Sequence, residues 1–276
     1  MEMKKVNLQE LKKIELNILK YIDDICRQNN IKYFAISGTL LGAIRHKGFI
    51  PWDDDIDIAL TRDNYEKLIN ILLHTENSRY KLLTNSTNKN YTYPYAKLCD
   101  TSTILKENAI RNTDEVGVYI DIFYYDPLPR NGKVVHSQFK KVKFFINHVI
   151  GIINSKNDKN MNKIKKTFRN IIYFLIVNIF GKVRIIKKYN NLNKKYKKQE
   201  PFYAISVWPC YDESHEIQEW NNIIETIDYR FEDMNIMIPR NYDEVLKIQY
   251  GNYMELPPIE KRIPHHNQEV FLKEEG

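Results

Sequence analysis

An α/β (α+β) fold around a small sheet is predicted by three observations. Segments with apolar residues at helical spacing alternate with short apolar or period-2 runs, polar turn residues separate them, and no internal repeat is present. The 276 residues, 43% of them apolar, suffice for a substantial core, while 28% charged residues exclude a disordered or fibrous chain.

Leu8, Leu11, Ile14, Ile18, Ile22 and Ile25 predict an amphipathic helix over 7–29, ended by Asn29-Asn30. Tyr33-Phe34-Ala35-Ile36 reads as a short strand, Ser37-Gly38-Thr39 as a turn, and Leu40 to Arg45 as a brief helix broken by Gly48 and Pro51. Ile56, Ile58 and Leu60 alternate with Asp55, Asp57 and Ala59, the period of a strand. Asp63, with Glu66 three residues on, gives a capping-box-like start to a helix carrying Tyr65, Leu68, Ile69 and Leu72. Asn85 to Asn90 is a polar loop. Val116 to Tyr124 is apolar and β-prone with Asp121 in its middle, and Pro127-Leu128-Pro129 is expected to close it. Phe202 to Val207 is a further strand, and a helix near Tyr242 to Tyr250 precedes a Pro-rich tail.

Cys26, Cys99 and Cys210 are far apart and form no C-x-x-C pair, so a reducing compartment is expected rather than disulfides or a Cys-based zinc site. The N-terminal residues show no apolar leader. The longest apolar run, Ile171 to Val177 resuming at Ile179-Phe180, falls short of the roughly 18 to 20 residues a membrane span needs. A cytoplasmic protein, soluble or peripheral at the inner face of the membrane, is expected.

Charge is unevenly placed. Residues 131–200 carry 18 Lys and Arg against two acids, Asp158 and Glu200, a net of +16; since the whole chain is +7, the remainder is −9. This segment also lacks proline, which predicts a basic helical insert on an acidic body. Two readings of it stand side by side: a solvated face packed on the body, or a surface meeting anionic lipid or a polyanionic acceptor. With no nucleic-acid-binding module and an acidic remainder, nucleic acid is not an expected partner.

Asp55 and Asp57, two apart on a strand, project to one face. Paired carboxylates there repel unless a cation lies between them, and hard oxygen ligands favour Mg²⁺ or Mn²⁺. Asp53 has the same parity and joins them if the strand extends that far, while Asp54 is expected to face away. Asp121 lies in an apolar strand where a charge needs a partner, either the same metal or a Lys or Arg. Ser37, Gly38 and Thr39, between strand and helix, suit a phosphate held by backbone N–H groups. Arg45, His46 and Lys47 are candidate phosphate contacts or surface residues. Lys97 is another phosphate candidate, with Asp100 as an alternative partner. Trp52 with Tyr91, Tyr93 and Tyr95 could stack a base or cage a quaternary ammonium, or belong to the core. Arg262, in a tail that could return over the site, is a further substrate contact; His265 and His266 beside it are not read as metal ligands.

Gly38-Thr39-Leu40-Leu41-Gly42, continuing through Arg45-His46-Lys47-Gly48-Phe49-Ile50-Pro51-Trp52-Asp53-Asp54-Asp55-Ile56-Asp57, resembles the signature of the LicD family, bacterial phosphocholine transferases related to the fukutin-type phosphoribitol transferases. Tyr93-Pro94-Tyr95-Ala96-Lys97, Val118 to Phe123, and Tyr250-Gly251-Asn252-Tyr253 to Pro257-Pro258 extend the resemblance, which leaves the basic middle uncovered. It implies a nucleotidyltransferase-like catalytic core over 1–130, interrupted by the insert 131–200 and completed by 201–276. It further implies Mg²⁺ on Asp55 and Asp57, with Asp121 completing the metal site or taking the acceptor proton. The implied reaction moves phosphocholine, or a related phospho-alcohol, from a CDP-activated donor to a hydroxyl of a surface glycan (teichoic acid, lipopolysaccharide or capsule precursor), releasing CMP. A CTP-dependent enzyme that makes the donor, and an inert nucleotide- or glycan-binding protein, are the alternatives. The Cys-rich zinc element of animal relatives has no counterpart here.

Overall fold

The computed structural model describes residues 4–107, 116–154, 162–264 and 268–273. The predicted first helix is α1 (Leu8–Gln28), started by a capping box in which Asn7 Oδ1 accepts from Glu10 N and Glu10 Oε2 accepts from Asn7 N, both at 3.0 Å. Its apolar stripe, with Leu11, Ile18, Leu19 and Ile22, is buried in the core. Then follow β1 (Tyr33–Ala35), α2 (Ser37–His46), β2 (Asp57–Thr61), α3 (Arg62–His74), β3 (Tyr80–Leu83), β4 (Ala96–Asp100), β5 (Thr103–Glu107) and β6 (Tyr119–Leu128). The basic segment contributes α4 (Gly132–Phe144), α5 (Gly151–Asn154), α6 (Lys163–Leu175) and α7 (Lys182–Asn193), with π-helical turns after α4 and α6. The chain continues through β7 (Tyr203–Ser206), α8 (Glu213–Glu216), β8 (Gln218–Glu219), α9 (Trp220–Ile224), β9 (Thr226–Phe231), β10 (Met234–Pro239), α10 (Tyr242–Tyr250) and β11 (Gln268–Leu272).

The main sheet is mixed and runs β1-β2-β6-β4-β3, with β7 on β6 and β8 on β7. β2 and β6 are parallel; the other pairs in this sheet are antiparallel. One face packs on α1 and α3: Tyr33 Oη donates to Asp23 Oδ1 of α1, and Arg62 of α3 lies 3.9 Å over the Tyr124 ring and pairs with buried Asp126. Val135, Phe139 and Val142 of α4, with Ile186 and Tyr189 of α7, belong to the same core.

Three local expectations change. Ser37, Gly38 and Thr39 are the first turn of α2 rather than a turn ahead of it, because Ile36 stays extended as N-cap and Ser37 turns through a positive φ of 49°. α3 starts at Arg62 straight out of β2, and no capping box forms: Asp63 and Glu66 instead hold Lys197 and Lys194. β6 runs on to Leu128 through Pro127, which pairs with Ala204 of β7. Along β6, alternate residues bond toward β2, which ends opposite Tyr125, so the missing Pro127 N–H lies on a side with no strand to bond.

Candidate active site

The site forms on the other face of the sheet. Asp57 heads β2 and stands in register with Asp121 of β6; Ala59 pairs with Phe123 and Thr61 with Tyr125, so one face of β6 carries Asp121, Phe123 and Tyr125. From β4, Lys97 stands opposite Asp121, and its Nζ donates to Asp121 Oδ1 at 2.6 Å. The cationic partner of Asp121 is therefore Lys97, not a distant residue, and Lys97 pairs with Asp121 rather than Asp100. The Lys97 ammonium also lies 3.4 Å over the Tyr119 ring. Burial first, then the Asp55 and Asp121 carboxylates, push Asp57 well above the ordinary carboxylate range; Lys97 offsets part of this.

Because β2 begins at Asp57, strand parity does not govern the acids ahead of it. Asp54, expected to face away, is buried, and one carboxylate oxygen from each of Asp53, Asp54 and Asp55 lies within 4.8 Å of the others. The rest of the molecule pins the loop that carries them. Lys12 Nζ of α1 donates to the Ile50 and Pro51 carbonyls at 2.9 and 3.0 Å, and Glu232, in the turn between β9 and β10, accepts from Phe49 N at 2.9 Å. From beneath comes Glu15 of α1, 2% exposed, whose Oε2 has no hydrogen-bond partner among the described residues. Its carboxyl is pushed well up by burial and then by Asp55, Asp54 and Asp53. So many oxygen donors at one place match a hard divalent cation, which would relieve their repulsion.

The first turn of α2 lies against these acids. A Cβ at Gly38 would meet Asp53 Oδ2, so any larger residue here would have to push that carboxylate aside. Thr39 Oγ1 accepts from Asp57 N at 2.8 Å and fixes the start of the acidic strand. Thr39 is thus a positioning residue behind the site, while Ser37 and Gly38 face a cleft of about 800 Å³.

That cleft is lined by Asp53, Asp55 and Asp57 on one side and by aromatic rings on another. Its outer wall is the segment after α10. Gly251 turns the chain with φ +65° and ψ −116°, a conformation that favours glycine, and residues 252–258 follow along the cleft. Arg45, itself in the lining, donates from Nη1 to the Tyr253 carbonyl at 3.0 Å and from Nε to His46 Nε2 at 3.0 Å. His46, held below its ordinary value by burial and then by Arg45 and Lys12, meets the edge of Trp52. Arg262 lies 5.5 Å over the Trp52 ring and donates to the Pro257 carbonyl at 2.9 Å. The tail returns over the site as expected. Asp121, Thr39, His46, Lys97 and Arg262 are not among the cleft-lining residues; each instead supports one that is, or the strand that carries it. His265 and His266 lie outside the described residues.

The aromatic expectation needs correction. Tyr91, Tyr93 and Tyr95 stack on one another away from the cleft lining; the rings that face the cleft are Trp52, Phe123, Tyr125, Trp208, Tyr211, Tyr250 and Tyr253. Tyr93 and Tyr95 act from behind, packing on Trp208 at 5.7 and 5.6 Å. The reading also missed Glu216, a buried carboxylate in the lining that accepts from Cys210 N and Tyr211 N at 2.5 Å and is raised by burial. The signal was Trp208-Pro209-Cys210-Tyr211 directly after a strand, an aromatic loop at a sheet end. Cys210 is an exposed residue of the same lining, and desolvation followed by the nearby Glu216 pushes its thiol up to about 12, away from the thiolate form.

Comparison with known proteins fits this architecture. Residues 30–150 match the LicD/FKTN/FKRP nucleotidyltransferase domain. The lipopolysaccharide cholinephosphotransferase LicD of Haemophilus influenzae is 32% identical over 277 aligned residues, covering 98% of this chain and 100% of that protein. An uncharacterized Rickettsia prowazekii protein is 32% identical over 146 residues, about half of each chain, and one from Rickettsia typhi is 36% identical over 85 residues, 30% of this chain and 28% of that protein. On the strength of that end-to-end similarity and the matched catalytic domain, the chain belongs to the LicD family of transferases.

Proposed function

We propose that the protein transfers phosphocholine from CDP-choline to a hydroxyl of a lipopolysaccharide, releasing CMP, at the cytoplasmic side of the membrane. The observation that carries this reading is the full-length similarity to an enzyme named for that group and that acceptor. A cleft in which acids, a helix N-terminus and aromatic rings converge supports it. Asp55 and Asp57 are the proposed ligands of Mg²⁺, with Mn²⁺ as its substitute. Such an ion neutralises diphosphate charge when bound.

The acceptor oxygen attacks the phosphorus that bears choline. The bond from that phosphorus to the oxygen shared with CMP breaks, and CMP leaves with the electron pair. Asp121, held by Lys97 directly behind the lining and in register with Asp57, either completes the metal site or takes the acceptor proton. Ser37 and the first N–H groups of α2 receive phosphate oxygens, since that helix end has no side-chain cap, and Arg45 and Lys261 add positive charge at the cleft. Trp208, Tyr211 and Tyr250 receive the trimethylammonium group through their ring faces.

The test is product analysis with purified protein, Mg²⁺ and a lipopolysaccharide acceptor, offering CDP-choline, CDP-ethanolamine, CDP-glycerol, CDP-ribitol and CTP in turn. Acceptor-dependent CMP from CDP-choline alone is the expected result. Pyrophosphate from CTP would establish the donor-making alternative, and binding without turnover of any donor would establish an inert binding protein. A transfer that proceeds only with teichoic acid or capsule precursors would keep the chemistry and replace the acceptor.

A further inference from the structure

α6 is a helix without a core. Ile164, Phe168, Ile171 and Leu175 recur at spacings of four, three and four, one face of a helix, yet none of its 13 residues is buried. Ile164 is 78% exposed, Phe168 64%, and Phe174, on a neighbouring face, 63%. The apolar surface continues past the helix into Ile179, Phe180 and Val183, each more than half exposed. The other side of α6 carries Lys165, Lys166 and Arg169, and α7 adds exposed Arg184, Lys187 and Lys188. From residue 162 to 199 the chain has 12 Lys and Arg and no acid. Lys194 and Lys197 are spent on Glu66 and Asp63 of α3, which ties the base of this segment to the acidic body. A contiguous run of large apolar side chains facing water is uncommon unless something covers it.

We infer that residues 162–184 form a membrane-docking segment that lies in the interface of an anionic bilayer, its apolar face among the acyl chains and its Lys and Arg at the headgroups. Charge complementarity selects the occupant. A protein groove built for this face alone would not require a segment stripped of every acid, whereas an anionic lipid surface attracts just such a composition. Span and direction agree. Thirteen helical residues reach about 20 Å, too short to cross a bilayer of about 30 Å but suited to lying along it. Among the described residues, no helix is long and apolar enough to cross a membrane. Apolar burial and basic attraction together supply the two signals that stable peripheral binding needs. The inference stands on this surface alone and holds whatever the donor or acceptor is.

The experiment is co-sedimentation of the full chain with phosphatidylcholine vesicles, with and without about a third phosphatidylglycerol, at low and high salt. Binding to the anionic vesicles at low salt, falling at least tenfold at high salt, is expected. The variant Phe168→Ser/Phe174→Ser should lower vesicle affinity at least tenfold, as should Lys165→Glu/Lys166→Glu, while both retain the circular dichroism, melting temperature and donor binding of the parent. No binding to anionic vesicles at low salt overturns the inference. So does binding that neither variant weakens. A concentration-dependent dimer that the Phe168→Ser/Phe174→Ser variant abolishes, with no vesicle binding, would assign the face to a second copy of the chain and overturn it equally.

Discussion

α1 and α6 are written in the same sequence grammar and meet opposite fates. Both repeat apolar residues every three or four positions. Leu19 and Ile22 of α1 are wholly buried under the sheet, whereas α6 buries nothing. Periodicity therefore states that a helix has an apolar face; it does not state what the face meets. What separates the two is charge context. α1 mixes acids and bases that pair with neighbours, as Arg27 does with Asp23 and Asp228 and Lys20 with Asp233. The segment holding α6 has bases only, and Lys194 and Lys197 near its end pair with Glu66 and Asp63 of α3.

The contrast is broken or sharpened by four measurements. The largest expected effect lies in the body. Asp57→Asn should lower turnover by roughly a thousandfold or more, the scale of losing one preorganised electrostatic group, while Tm in metal-free buffer stays level or rises because a repelling buried charge is gone. Activity within tenfold of the parent would remove Asp57 from the site. Next is stability. Leu19→Ala in α1 should cost about 2–5 kcal/mol in a denaturant titration, whereas Phe168→Ala in α6 should fall within about 0.5 kcal/mol of zero. Equal losses would mean that α6 packs on something in solution.

Much of this was legible beforehand. The acidic strand, its neighbour with Asp121 and the first helix follow from period and residue type. What was not legible depended on partners distant in sequence. Asp63 and Glu66 look like a capping box as much as Asn7 and Glu10 do, but only the latter pair forms one. Lysines some 130 residues away hold the former. Asp54 defied parity because the strand starts at Asp57, two residues after the alternation begins at Asp55, and a loop obeys anchors such as Lys12 and Glu232. Trp52, beside the acids, was legible, but Trp208, Tyr211, Tyr250 and Tyr253 come from far along the chain and only the fold brings them to the cleft.

A third and smaller effect belongs to Thr39. Replacing it by Val leaves the Asp57 N–H without its acceptor, at a cost of about 1–3 kcal/mol. Turnover should fall with little change in donor affinity, because the strand that carries the acid shifts while the rest of the wall stays. The smallest effect is in pH dependence. His46 is held below its ordinary value of 6.5, consistent with Arg45 Nε donating to its Nε2. As pH drops below 6.5, the unfolded chain gains a proton that the folded one resists, so stability is lost toward acid. His46→Gln should flatten that acid limb by well under about 1 kcal/mol, since the ring is only partly buried and solvent still screens it. An unchanged slope of Tm between pH 5 and 7 would show that another group sets it.

The hairpin geometry of β6 and β7 has a consequence for how such proteins diversify. The chain leaves the sheet at Leu128 and returns beside it, with Tyr203 in register and Phe202 N bonded to the Leu128 carbonyl at 2.9 Å. Topologically everything between is one loop whose ends are already clamped, and doubling a flexible loop adds only about 0.6 kcal/mol of closure entropy. α4 and α7 are its fixed stalk, because they reach into the core. The stretch 163–180, which buries no residue, is the part whose length or sequence could change with least effect on Asp57 and Asp121. The acids and the exposed segment are thereby separate parts of one chain, joined only through the clamped ends of the β6–β7 connection.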